Sequence, residues 1–214
     1  MSILGEFELV GFYNYSVILT YIGLLCSFVG ISFAMDGHFL AAIICLLISG
    51  CCDLFDGRVA RTMKNRSADE ENFGIQIDSL CDLVCFTVLP ATISYCIGGG
   101  KIFSIASGAL LILAGVIRLA YFNVVAMNRM MGKGDGKCDY VGLPVTTTAL
   151  IVPFLYLFKG LFGERFPLFF HLCLVIISIL FISPFKIGKP GTREVILMVV
   201  AGAAIAATAV FLNM

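Results

Sequence analysis

Long apolar runs alternate with short polar stretches along this chain. The hydrocarbon core of a bilayer is about 30 Å thick and takes about 20 residues of helix to cross. Seven runs reach or approach that length, near 16–35, 39–61, 75–97, 102–127, 142–160, 166–183 and 193–213. Backbone groups in lipid must pair within their own segment, so each run predicts a helix. The stretches between them carry chain breakers: Asp36-Gly37, Gly98-Gly99-Gly100, Gly132 to Gly136 and Lys189-Pro190-Gly191. The expected fold is an all-α integral membrane protein, a bundle of six to seven transmembrane helices, the number turning on whether 193–213 is a full span. Residues 16–214 would form one transmembrane domain. Residues 1–15 would form a short interfacial segment, with Phe7, Phe12, Tyr13 and Tyr15 toward the lipid boundary.

Composition supports lipid as the solvent. Of 214 residues, 60% are hydrophobic and 13% charged, against about 45–50% and about 25% in an ordinary soluble domain. A soluble fold of this size would be left with a largely apolar surface. The formal net charge is zero, and no basic stripe interleaved with aromatic residues points to nucleic acid. The nine cysteines lie mostly within apolar runs. Their odd number and unpaired spacing argue against a disulfide framework or a zinc site and for small packing residues. Met1 to Glu8 holds two acids and no Lys or Arg, so the basic start of a signal peptide is missing. His38 and His171 fall near span ends and read as interfacial. The Gly132–Gly136 stretch reads as a polar turn rather than a phosphate-cradling loop.

Charge orients the spans. Arg61, Lys64 and Arg66, then Arg129, Lys133 and Lys137, then Lys186, Lys189 and Arg193 fall on one side if the spans alternate, against Lys101, Lys159 and Arg165 on the other. The positive-inside rule makes the first side, and with it the N-terminus, cytoplasmic.

The chemistry gathers between residues 53 and 82. Asp53 and Asp56 are three apart and Asp78 and Asp82 four apart, so each pair occupies one face of a helix. The two helices are consecutive and can lie antiparallel, bringing four carboxylates together near the cytoplasmic side. Such a cluster repels itself and is costly to desolvate. Hard divalent cations offset that cost through oxygen ligands, and two ions can share carboxylates. No His or Cys has matching spacing, which favours Mg²⁺ or Mn²⁺ over zinc. The alternative is interfacial ion pairing with Arg58, Arg61, Lys64 and Arg66. Gly57, Ala60 and Gly74 are small residues beside the acids, suited either to close approach of a ligand or to tight helix packing. Arg61 presents a fixed charge suited to a phosphate oxygen.

The set Asp53-x2-Asp56-Gly57-x2-Ala60-Arg61, followed by Gly74-x3-Asp78-x3-Asp82, resembles the signature of the CDP-alcohol phosphotransferases at all eight positions. Within that family the chain looks most like the membrane-embedded phosphatidylserine synthase branch. Phe73 to Asp82 resembles that branch's FGxxxDSLAD run, Arg118 to Val124 its RLARFNV, and Tyr140 to Val145 its FxGLPxP. Differences from the branch are Cys81 for Ala, Cys85-Phe86-Thr87 for Ser-Phe-Gly, Tyr121 for Arg and Thr146 for the second Pro. Asn14 and Thr20 stand for the usual Pro-Asn and Thr of the first span.

The resemblance implies transfer of a phosphatidyl group from CDP-diacylglycerol to the hydroxyl of L-serine, with release of CMP. It implies two divalent ions, Mg²⁺ or Mn²⁺, held by Asp53, Asp56 and Asp78, with Asp82 as the base and a further metal contact. The CDP-lipid would sit against Asp56, Gly57, Ala60, Arg61, Gly74 and Asp78. Membrane lipid surrounds such proteins, and a homodimer is common among them. For the acceptor, Arg118 lies deep in the fourth span and must face the bundle interior. It is a candidate for the serine carboxylate or a lipid phosphate, or else a structural ion pair. Asn123 is a weaker acceptor candidate, or else a helix–helix hydrogen bond. Two rivals remain: the same chemistry on another alcohol (inositol phosphate, glycerol phosphate or choline), and a cation transporter, which should show repeated halves and broken helices.

Overall fold

The protein was described as a computed structural model, which covers residues 11, 15–60, 67–132, 140–187, 204, 207 and 208. Helix α1 (Tyr15–Met35) turns at Asp36-Gly37 into α2 (Phe39–Ala60). Helix α3 (Ala68–Ile97) joins α-helical Ala68–Leu83 to Leu89–Ile97 through a π-turn at Val84–Val88. Helix α4 is Ile102–Met130 and α5 Val145–Tyr156. A short turn at Lys159–Phe162 then leads to α6 (Phe166–Ile182).

Five spans among the described residues are long and apolar enough to cross a bilayer: Val17–Met35, Phe39–Gly57, Ala68–Ile97, Ile102–Met130 and Lys159–Ile182. The architecture is that of a multi-pass, all-helical membrane protein. Its strand pairing among these residues is a two-residue antiparallel ladder, Tyr140 opposite Ile187 and Val141 opposite Lys186. The interfacial segment expected at 1–15 lies outside the described residues except Gly11 and Tyr15. The span expected at 193–213 lies outside them except 204, 207 and 208.

Two expected spans change shape. The one read as 75–97 starts at Ala68. Ser67 and Glu70 form a reciprocal capping box, Glu70 N–H donating to Ser67 Oγ (3.2 Å) and Ser67 N–H to the Glu70 carboxylate (2.9 Å). Asp69, Glu70 and Glu71 in the first turn suit the positive end of the helix dipole. The polar start hid this turn from a reading based on apolar runs. The segment read as 142–160 yields only α5, ~18 Å long at 1.5 Å per residue and too short to cross alone. Pro153 sits inside α5, and a turn at Leu157 and Phe158 ends it.

Packing is inside-out relative to a soluble protein. On α1, Ile18, Ile22, Leu25 and Val29 form one exposed apolar face, while Gly23, Ser27, Gly30 and Ala34 face inward. A Cβ built at Gly30 would come 2.8 Å from the Cys45 Cβ, and one at Gly23 would come 3.3 Å from the Cys52 Cβ. Small residues thus let α1 and α2 close on each other, the usual means of association where lipid removes the hydrophobic drive between helices. Ser27 and Ser49 hydroxyls meet across this seam at 2.8 Å. The eight described cysteines are free thiols, and Cys45 and Cys52 are the packing residues expected. Pro90, within α3, has no N–H for the Phe86 carbonyl. Thr148 of α5 donates its hydroxyl there instead (2.8 Å), while Leu89 N–H reaches back to Val84 to form the π-turn.

Candidate active site

Helix α2 carries Asp53 and Asp56 in its last two turns, and α3 carries Asp78 and Asp82 midway along its length. Carboxylate oxygens of Asp53, Asp78 and Asp82 all lie within 4.8 Å of one another. Of the four acids expected to meet from these two consecutive helices, three converge. Asp56 is buried and accepts a hydrogen bond from Thr20 Oγ1 of α1 at 2.8 Å. A small cleft opens between the three helices, lined among others by Thr20, Ser49, Asp53, Asp56, Cys81 and Asp82.

This donor set suits a hard cation. Every ligand offered is a carboxylate oxygen. Two oxygens on opposite sides of one Mg²⁺ stand ~4.2 Å apart at ~2.1 Å each, and those around Ca²⁺-sized ions somewhat more. The spread at the site is close to that without rebuilding a helix. Without a cation, like charges face like charges in a membrane bundle, with Asp53 and Asp56 near the negative end of the α2 dipole. The acids here can hold a metal ion.

The glycines divide into two kinds. A Cβ built at Gly57 or Gly74 meets nothing within 4 Å, whereas at Gly50 it would come 2.6 Å from the Ala149 Cβ. Gly50 is a packing glycine. Gly57 and Gly74 border open space on either side of the acids, which fits approach of a ligand rather than helix contact. Ala60 closes α2, and Arg61 lies outside the described residues.

Arg118 is buried on the inner face of α4, as its place in the span required. Its Nη1 donates to the Phe181 carbonyl at 3.2 Å, and its guanidinium lies 4.6 Å from the centre of the Phe122 ring. Phe181 belongs to the last turn of α6, where carbonyls lack helical partners and a cation is favourable. Gly142, at φ +71°, packs so closely over this point that a Cβ would lie 2.8 Å from Arg118 Nη1. Asn123 uses both ends of its amide between helices. Its Oδ1 accepts from Ser79 Oγ at 2.7 Å, and its Nδ2 donates to Gln76 Oε1 at 3.2 Å.

Some polar residues escaped the sequence reading. His171 is buried rather than interfacial. Its Nδ1 meets Ser94 Oγ at 2.8 Å and Ser107 Oγ at 3.4 Å. Gly98 allows this, since a Cβ there would lie 2.5 Å from His171 Nε2. Thr20 stood out only as a partial match to a family position, and its contact with Asp56 was not foreseeable from spacing. Ser79 and Gln76 gave one usable signal: both are polar and three apart within an apolar run.

The fold and the site define a multi-pass helical membrane protein in which acids from two consecutive spans converge beside glycine-bordered space. The chain belongs to the CDP-alcohol phosphatidyltransferase family, whose model matches residues 13–203. It is 40% identical over 125 residues to the CDP-diacylglycerol–serine O-phosphatidyltransferase of Saccharomyces cerevisiae, covering 57% of this chain and 44% of that protein. It is 33% identical over 157 residues to the archaetidylserine synthase of Methanothermobacter thermautotrophicus, covering 73% of this chain and 61% of that protein. Against the CDP-diacylglycerol–serine O-phosphatidyltransferase of Helicobacter pylori it is 29% identical over 190 residues, covering 86% and 74%. The chain thus spans about half of the first two relatives' length.

Proposed function

We propose that this protein transfers the phosphatidyl group of CDP-diacylglycerol to L-serine, giving phosphatidylserine and CMP. The observation that carries this reading is the convergence of Asp53, Asp78 and Asp82 within 4.8 Å. The names of the relatives support serine as acceptor. The serine hydroxyl oxygen forms a bond to the β-phosphorus, and the bond from that phosphorus to the bridging oxygen breaks. CMP leaves with that electron pair. Asp82 takes the hydroxyl proton. Asp53, Asp56, Asp78 and a second oxygen of Asp82 would hold two divalent ions, Mg²⁺ or Mn²⁺. When bound, the ions screen the diphosphate and stabilise the leaving oxygen. Thr20 fixes the Asp56 carboxylate. Gly57 and Gly74, with Ala60 and Arg61, leave room and charge for the CDP group. Positioning and electrostatics then supply most of the rate.

Arg118 is the fixed cation for the serine carboxylate in this reading. The positive-inside pattern of Lys and Arg supports a cytoplasmic position for the acids. The outward apolar face of α4, including Leu113, Ile117 and Val124, allows a homodimer.

The test uses the full chain in lipid with CDP-diacylglycerol, Mn²⁺ or Mg²⁺, and labelled serine, inositol phosphate or glycerol phosphate. CMP release with serine alone is expected. Release with a different acceptor would overturn the serine assignment, and no release with any would overturn the enzyme.

A further inference from the structure

We infer that Ser79, Asn123 and Gln76 form a positioning device that fixes the rotation of α3, and so aims Asp78 and Asp82 at Asp53. The inference rests on the metal-binding reading of the acids given above. It assigns Asn123 to the scaffold of the acids rather than to contact with serine.

In water, the apolar face of a helix is turned inward by the hydrophobic effect. In lipid that drive is absent, and rotation is set by packing and by interhelical polar contacts. The stretch of α3 ahead of Cys81 has little inward packing to hold it: Gln76 and Leu80 are exposed, and Gly74, Ile75, Ile77 and Asp78 only half-buried, with full burial beginning at Cys81. What crosses from α3 to α4 here is polar. Ser79 Oγ donates to Asn123 Oδ1 (2.7 Å), Asn123 Nδ2 donates to Gln76 Oε1 (3.2 Å), and Gln76 Nε2 reaches Met127 Sδ (3.8 Å). One amide therefore grips two α3 side chains spaced i, i+3, a contact that resists rotation as well as separation.

The gripped residues interleave with the acids. Ser79 directly follows Asp78 and is three before Asp82, while Gln76 is two before Asp78. Successive residues on a helix differ by about 100°. A slip of one position would carry Asp78 and Asp82 off the face that meets Asp53. Repulsion among the carboxylates pushes toward such a slip, and the tie opposes it.

The experiment measures Mn²⁺ binding to the full chain in lipid nanodiscs by electron paramagnetic resonance, alongside the serine KM. Ser79→Ala and Asn123→Ala are each expected to weaken Mn²⁺ binding about three- to twentyfold, the span measured for interhelical hydrogen bonds in membranes. The double variant should lose no more than the worse single one, and the serine KM should stay put. Ser79→Thr, which keeps the hydroxyl, should restore binding. A raised serine KM in Asn123→Ala with unchanged Mn²⁺ binding would overturn the inference and make Asn123 an acceptor residue. Equal loss in Ser79→Thr and Ser79→Ala would overturn it too, as a packing effect. If the unmodified chain binds no Mn²⁺, the metal reading fails by itself. The tie is then judged by thermal unfolding, where non-additive losses in the two alanine variants support it and additive losses refute it.

Discussion

Two of the polar clusters among the described residues are built on opposite principles. At one end of α3, His171 Nδ1 meets the hydroxyls of Ser94 and Ser107, all three residues buried. Midway along α3, Asp53, Asp78 and Asp82 crowd within 4.8 Å as acceptors facing acceptors. The first cluster finds partners within the protein and ties α3, α4 and α6 together. The second sets acids against one another in an arrangement that can hold a metal ion, and it borders open space at Gly57 and Gly74. A polar group that finds its partners within the protein supports the fold, whereas one left in want of a partner marks where a ligand belongs.

Substitutions should separate the two. Asp78→Asn removes an acid from the acidic cluster and should abolish turnover, at least about 10³-fold, while thermal stability holds or rises as repulsion is relieved. CMP release and a melting curve on the same sample check both parts. Thr20→Val deletes the hydroxyl that holds Asp56. Loss of a hydrogen bond to a charged group, about 1.5–3 kcal/mol, predicts about a tenfold to hundredfold fall in kcat/KM. Gly57→Ala meets no neighbour within 4 Å, so the fold should be untouched while the KM for CDP-lipid rises severalfold. Ser94→Ala should behave in the opposite way, losing about 1–3 kcal/mol of stability with kcat unchanged, because it strips His171 of its closest partner. If Ser94→Ala slowed turnover without loss of stability, the contrast between the clusters would collapse.

The sequence made the acids legible because their spacing is helical and they stand in apolar runs, where any charge is conspicuous. The fold was legible for a related reason: α1, α2 and α4 begin and end within a few residues of the apolar runs. What stayed hidden is contact between distant residues. Nothing local links Thr20 to Asp56, or Asn123 to Ser79, and a lone His near a span end looks the same whether it faces lipid headgroups or Ser94. Helix boundaries failed where chemistry at a terminus outweighs hydropathy, as at the Ser67–Glu70 cap, and where Pro153 and the Leu157–Phe158 turn cut α5 short. Arg118 shows the limit from the other side. Burial followed from its position, but its hold on the Phe181 carbonyl depends on a loop that brings Gly142 over the end of α6.

In the proposed reaction the four aspartates form a phosphotransfer centre in which Asp82 takes the proton from the attacking hydroxyl. Asp82→Asn keeps the shape and an oxygen while removing the base. With labelled CDP-diacylglycerol, serine and Mn²⁺, this variant is expected to retain the CDP-lipid but to release CMP at least about 10²-fold more slowly, the low end of what a general base contributes. CMP release at near the unmodified rate would contradict that role for Asp82.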